Sequence, residues 1–433
     1  MILNKKTFIK LLFVLTAAVF FKNSAFSQIS TQQLGGSQIN TITTAVPFLL
    51  ISPDSRSGAM GDAGVAISPD ANSIHWNPAK LVFIDPIKDV GFSMSYSPWL
   101  RALVNDINLA YLSGYKRIDR LSTIGASLRY FSLGNITFTD NFGTTIRDFK
   151  PNEFAFDVVY SRKLGDNFSA GLAARYIYSN LTGGTSVGGA DTKPGQSAAA
   201  DLSLYYITNS FNIADKPSTL AFGTNISNIG AKMSYTEAAT RDFIPTNFRL
   251  GTTLNMELDE FNKFSFSIDA NKLLVPTNPY YHPSNGDIVS GRNPDVGVAS
   301  GIFGSFTDAP GNVFEDNGSY YVESGSVFKE ELNEINLSFG AEFLYSELFA
   351  LRAGYFHEHP TKGNRRFISF GAGIKYKVLE LDLSYILALT QASPLANTIR
   401  FSIKLNMGSS GSKNEEWLKK FQPLTIATVQ LMI

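Results

Sequence analysis

The stretch "NTIRFSIKLNM", residues 397–407, sets Ile399, Phe401, Ile403, Leu405 and Met407 on one side of an extended chain. Arg400, Ser402, Lys404 and Asn406 fall on the other. A period of two marks a strand, because successive side chains point to opposite faces. "LELDLSYILAL" repeats the pattern with Leu379, Leu381, Leu383, Tyr385, Leu387 and Leu389 against Glu380, Asp382 and Ser384. "FISFGAGIKYK" does so with Ile368, Phe370, Ala372, Ile374 and Tyr376. Each run holds about 10 residues, the length of a tilted transmembrane strand and about twice the usual soluble one. Fourteen such runs are legible, near 88–98, 105–116, 121–131, 153–163, 167–178, 198–209, 218–229, 246–258, 262–272, 333–345, 348–357, 367–377, 379–389 and 397–407. The number is even, as single-chain bacterial barrels require.

The connections alternate short ("KRIDRLS", "LGDN", "DEF", "SEL", "KVL") with long, the long ones covering 131–153, 179–198, 230–246 and 272–333. Short periplasmic turns and long outer loops give that alternation. One face of the runs carries Arg129, Arg175, Arg249, Glu257, Asp269, Glu342, Arg352, Lys375, Glu380, Asp382, Arg400 and Lys404. The other is nearly uncharged and often ends in Tyr or Phe. A secreted β-sandwich would read the same strand by strand, with its charged face in water. Long strands, aromatic ends, and Gly125, Gly171, Gly251, Gly340 and Gly371 on the polar face favour closure instead. The expected fold is all-β: a 14-stranded antiparallel transmembrane β-barrel over 88–407, with hydrocarbon outside and a salt-bridged lumen.

The N-terminus fits export to such a membrane. Lys5, Lys6 and Lys10 precede an apolar run from Leu11 to Phe21, and Ala25-Phe26-Ser27 offers a small-residue cleavage site, so 1–27 reads as a signal peptide. The run is shorter than the ~20 residues a spanning helix needs. There are no cysteines, which excludes a disulfide scaffold, a thiolate metal site and a Cys nucleophile. Charged residues are 17% against about 25% in soluble domains, and aromatics reach 13%. The formal net charge of zero gives no electrostatic reason to expect nucleic acid. After Met407 comes "GSSGSKNEEWLKKFQPLTIATVQLMI"; this 408–433 tail opens as a flexible linker and is set apart from the fold.

Residues 28–87 precede the first run and are rich in Gly, Ala and Ser, with bends at Pro53, Pro69, Pro78 and Pro86. Small residues let backbone pack closely on barrel walls, so this segment is the expected hatch. Proline pushes Asn77 out of the α region, which makes Trp76-Asn77-Pro78 a fixed bend. Gly58, Gly61 and Gly64 do not form a phosphate loop, since no strand precedes and no Lys-Ser/Thr follows. The segment resembles the N-terminal hatch of the FadL-like outer-membrane family: Arg56, Gly58, Met60, Gly61, Ala63 and Ala66, then Asn77, Pro78 and Ala79. That family forms fourteen-stranded barrels with an N-terminal hatch. Adding "VGFSMSYSPWLRALVNDINLAYLSGY" at 90–115, the chain is most similar to the branch serving the type IX secretion system of Bacteroidetes-type bacteria.

The resemblance implies a non-enzymatic outer-membrane protein that takes exported cargo, by its C-terminal sorting domain, from a giant translocon barrel to a surface attachment complex containing a sortase-like protein. Other family members pass long-chain fatty acids or similar hydrophobic molecules, which is the alternative. Neither implies a cofactor, and lipid is a partner of both. The charged, glycine-rich polar face argues against an apolar passage. Candidate partner anchors are Trp99 and Leu100 in the first outer loop, Phe243 and Ile244 in the fourth, and Tyr280, Tyr281, Phe303, Phe306, Tyr320 and Tyr321 in the fifth. Catalytic and metal signals are poor. His357 and His359 lack a third ligand nearby, no Gly-x-Ser-x-Gly elbow accompanies the four histidines, and Asp308, Glu315 and Asp316 depart from EF-hand spacing, reading as a solvated loop.

Overall fold

The computed structural model describes residues 39–100, 106–139, 142–184, 191–236, 241–390, 393 and 395–408. The segment 1–27 expected to be a signal peptide and the tail beyond Gly408 lie outside these. Among the described residues fourteen strands close into one antiparallel barrel. They are β1 Val90–Pro98, β2 Ile107–Arg117, β3 Ser122–Leu133, β4 Asn152–Lys163, β5 Phe168–Asn180, β6 Gly195–Ile207 and β7 Lys216–Gly230. There follow β8 Asn247–Glu257, β9 Asn262–Leu273, β10 Asn336–Tyr345, β11 Phe349–His357, β12 Arg366–Tyr376, β13 Leu379–Ala388 and β14 Ile399–Met407. Every neighbour in the chain is a neighbour in the sheet, and β14 pairs with β1 from Val90↔Met407 to Tyr96↔Phe401. No sheet edge is left facing lipid, as a membrane requires.

Alternation decides which way each strand faces. Phe92, Met94, Leu112, Leu128, Val158, Leu172, Leu202, Leu250, Leu383 and Phe401 are exposed, while Ser95, Ser113, Arg129, Asp157, Arg175, Asp269, Asp382 and Arg400 are buried. The molecule is apolar outside and polar within, the reverse of a soluble domain. One irregularity lies in β7, where the pairing with β6 shifts between Ile226 and Ile229 and Asn228 takes a φ of 61°. The bulge turns Asn228 inward, where its amide N–H donates to Asp201 at 2.8 Å and its side chain to the Pro245 carbonyl at 2.9 Å.

The segment before β1 threads the barrel from end to end. Asn40 donates to the Thr361 carbonyl and Ala45 to that of Phe243, both at 2.9 Å, which places the described start among the long-loop ends of the strands. The chain then descends through a 3₁₀ turn Pro47–Leu50, helix α1 Ser55–Gly58, helix α2 Ser73–Trp76 and a 3₁₀ segment Pro78–Phe83. It leaves at the short-turn end, where Arg117 donates to the carbonyls of Ile84 and Asp89, its side chain to the first and its amide to the second. In the long connection between β9 and β10 lie helices α3 Val298–Gly304 and α4 Ser326–Asn333 and two small hairpins.

Candidate functional site

The hatch and the outer loops are the two places where side chains do more than build the wall. Asp54 caps α1, accepting from the Ser57 amide at 2.9 Å, and also holds the Trp76 indole N–H at 2.7 Å. That cap aims Arg56 at β10, where Nε and Nη2 donate to the two oxygens of Glu342 at 3.0 and 2.7 Å. Glu342 is shared with Arg352 at 2.6 Å, Arg352 with Asp382 at 2.6 Å, and Asp382 with Lys404 at 2.9 Å. Lys404 returns to the hatch through Asp70 at 3.2 Å. The circuit alternates sign at every step, so buried charges are paired rather than stranded.

Glycine governs how closely hatch and wall approach. A Cβ on Gly354 of β11 would sit 2.0 Å from the amide nitrogen of Gly61, and Gly61 itself has a φ of 68°. Gly58 lies against Arg400, and Met60, wholly buried, fills the space over Gly340. The five wall glycines expected to point inward all meet the hatch: Gly125 at Ile74, Gly171 at Ala79, Gly251 at Val65, Gly340 at Met60 and Gly371 at Ala59.

The Asn-Pro-Ala bend is a docking element. Asn77 accepts from the Ala79 amide at 3.1 Å, capping the 3₁₀ segment, and donates to the carbonyls of Leu204 at 3.0 Å and Val65 at 3.2 Å. Serines of the wall meet it. Ser161 donates to the Pro78 carbonyl and Ser169 to that of Ala79, both at 2.6 Å, while Ser203 accepts from the Ala79 amide at 3.0 Å. Charge drew the eye in the sequence, yet these serines hold the bend. Their signal was present, as serine recurring on the polar face of β4, β5 and β6.

The outer candidates divide. Ile244 is 1% exposed and packs with Ala45, Phe48 and Leu49 of the hatch, and Phe243 is partly buried against Gly301. Trp99 and Leu100 pack onto Phe356, Phe367 and Leu395, with Arg400 above the Trp99 ring at 5.6 Å. Ile244 is covered and does not face outward, whereas Trp99, Leu100 and Phe243 are half-buried beneath the loops. Tyr281, Phe303, Phe306 and Tyr321 are exposed, Phe303 to 79%, and Tyr280 and Tyr320 half-buried. Phe328 and Leu332, one turn apart on α4 and 70% and 51% exposed, join them. Sequence reasoning passed over that pair, although i and i+4 spacing on a short helix would have revealed it.

A second network anchors the fifth loop. Lys272 of β9 meets Glu331 at 3.1 Å and Glu334 at 2.5 Å, and Lys362 meets Glu330 at 2.6 Å and Glu334 at 3.0 Å. Asp308 is buried, not solvated, and accepts from the Thr277 amide at 3.2 Å; Glu315 and Asp316 stand apart in an exposed hairpin. Burial, aided by Glu331 and Glu334, pushes the Asp308 carboxyl up to about 6. His359 hydrogen-bonds Thr361 at 2.9 Å, and His357 lies 3.2 Å from the Tyr355 hydroxyl. Among the described residues no cluster of three His, Asp or Glu has metal-binding geometry.

A closed fourteen-stranded barrel, apolar outside and with its lumen occupied by its own N-terminal segment, defines an outer-membrane β-barrel protein. The chain belongs to the family described as type IX secretion system protein PorV, whose model matches residues 35–280. It is therefore an outer-membrane component of that secretion system. No curated protein sequence matches the chain. Solved structures similar to it include the Pseudomonas putida toluene transporter TodX, at 13% identity and TM-score 0.42, covering 85% of this chain and 98% of that one. The Ralstonia pickettii toluene transporter TbuX has 12% identity and TM-score 0.43, with 82% and 98% covered. A Pseudomonas aeruginosa FadL homologue has 11% identity and TM-score 0.40, with 85% and 99% covered.

Proposed function

We propose that this barrel is a carrier rather than an enzyme or a channel. It takes exported cargo, by the C-terminal sorting domain, from the translocon barrel and delivers it to a surface attachment complex with a sortase-like protein. One observation carries the reading: the hatch is tied to the wall by a circuit of buried ion pairs running Arg56, Glu342, Arg352, Asp382, Lys404 and Asp70. Opening a passage would strand several charges, at about 3–5 kcal/mol for each broken pair. Work at the outer surface needs no such opening. That surface offers Phe303, Phe328 and Leu332, solvent-exposed aromatic and aliphatic groups on a loop fixed by Lys272 and Lys362.

The test replaces Phe303, Phe328 and Leu332 with serine. Barrel abundance and heat-modifiability should hold, since none touches the strand ladder. Surface display of exported proteins should fall. Interface anchors cost about 2 kcal/mol or more each, so two true anchors weaken binding roughly a thousandfold. Normal display at normal abundance counts against the reading. Uptake of a small hydrophobic molecule is the second reading. It is favoured by a 370 Å³ cavity beneath the loops, lined in part by Leu50, Ile51, Trp99, Phe356, Phe367 and Leu395.

A further inference from the structure

The fifth outer loop carries a hairpin whose second strand, Ser319–Val322, has no further strand paired along its outer edge among the described residues. Val313–Asp316 pairs with Ser319–Val322 across a two-residue turn in which Asn317 and Gly318 have φ of 49° and 79°. This is a type I′ turn, whose twist suits the flanking strands. Just beyond the ladder the Glu323 amide donates to the Asn312 carbonyl at 2.9 Å, which sets the phase of the pairing. Bonded pairs alternate along an antiparallel ladder, so Phe314 bonds with Tyr321 and Asp316 with Ser319. The amide and carbonyl groups of Tyr320 and Val322 therefore point away from the hairpin, and no backbone hydrogen bond among the described residues uses them.

The edge is packed on a neighbouring hairpin and is not guarded. The Tyr320 ring lies 6.1 Å from that of Tyr280 and 5.0 Å from that of His282, fixing the hairpin on its neighbour. Exposed strand edges are normally covered or carry lysine, and residues 311–323 contain no Lys or Arg. They contain Glu315, Asp316 and Glu323 instead, all exposed. On one face of the hairpin Phe314 and Tyr321 stack at 5.7 Å, with Asp316 at one end of that aromatic pair and Glu323 at the other.

We propose that the Ser319–Val322 edge takes an extended, basic segment of a partner protein as an added strand. The segment pairs its backbone with Tyr320 and Val322. It lays an apolar side chain beside Tyr321 and places Lys or Arg two residues before and two residues after it, one beside Glu323 and the other beside Ser319, from which a long side chain reaches across to Asp316. The recognised pattern is basic-x-apolar-x-basic, because side chains on one face of a strand recur every second residue. The inference rests on the carrier reading and names the chemistry by which cargo, or another exported partner, would be held.

The experiment uses the purified full-length barrel in detergent and two synthetic peptides, Thr-Lys-Thr-Val-Thr-Lys-Thr and the same sequence with Glu for Lys. The basic peptide should bind, and the acidic one at least about tenfold more weakly. Val322→Pro deletes an outward N–H and leaves the bonded pairs intact, so it should weaken the basic peptide about tenfold, while Val322→Ala stays within about threefold. Asp316→Asn with Glu323→Gln leaves the backbone alone and should remove the preference for the basic peptide. Equal binding of both peptides, no binding by the wild type, or equal binding by all variants overturns the edge. So do barrel dimers that vanish with Val322→Pro, which would seat a second copy there. If the edge fails while the serine variant of Phe303, Phe328 and Leu332 still loses display, the carrier reading stands without it. Normal display in every variant removes both.

Discussion

At the scale of single residues, the hatch is decided by atoms too close for substitution. Gly354→Ala would drive a methyl into the Gly61 amide, since the added carbon has only 2.0 Å. The expected result is a displaced hatch, read as lost heat-modifiability and entry of antibiotics that the membrane normally excludes. Asn77→Ala removes a cap and two bonds to carbonyls, a loss of about 1–3 kcal/mol on thermal unfolding. Pro78→Ala keeps the carbonyl that Ser161 holds and should cost less. Asp308 gives the outer loop a pH dependence. Its folded value of about 6 lies above the ordinary carboxylate value of 3.8, so its contribution is complete below the ordinary value and is lost as pH rises through the folded one. Protection against hydrogen exchange in 274–335, taken relative to the intrinsic amide rate at each pH, should be greatest near pH 4 and fall toward pH 7. Asp308→Asn should flatten that profile, and an unchanged one would refute the assignment.

At the scale of elements, the hatch behaves as an internal strut whose ends are set by different forces. Its middle is fixed by charge, its Asn-Pro-Ala bend by serine hydroxyls, and its upper part by apolar contact of Val46, Phe48 and Leu49 with Leu109, Phe131 and Ile244. Removing one partner of a buried pair costs more than removing both, because the survivor is left uncompensated. Arg56→Met alone should therefore lower stability by about 3–5 kcal/mol, and adding Glu342→Leu should not recover all of it, since Arg352 also uses that carboxylate. Full recovery in the double variant, measured by thermal unfolding in detergent, would show that the circuit carries no weight.

At the scale of the molecule, orientation follows from connection length. Long loops and short turns lie on opposite ends of the barrel, so tags at Gly184 or Ser284 should label on intact cells and tags at Asp166 or Glu347 should not. Ile39, 63% exposed, stands at the long-loop end beside Thr361. A tag inserted before Ile39 should accordingly be reached from outside, although the first barrel strand starts at the opposite end. The reverse labelling pattern would overturn the orientation, and with it the placing of the fifth loop at the cell surface.

The sequence by itself determined the strands, their number and which side faces lipid, because a period of two is a local property that membrane and lumen read without reference to other strands. All fourteen runs coincide with barrel strands to within a few residues. It also carried the hatch motif, since Asn77, Pro78 and the glycines act through their own backbone preferences. Only the tertiary structure decided which apolar loop residues are covered. Trp99, Phe243 and Ile244 look like Phe303 and Phe328 in sequence, yet the first three pack inward or are partly covered, and the other two stand in water. Burial there depends on which hatch, loop and strand residues, far apart in the chain, come together beneath the loops. The pairing of Arg56 with Glu342, 286 positions away, is of the same kind, for charge alone names no partner until closure of the barrel brings one within reach.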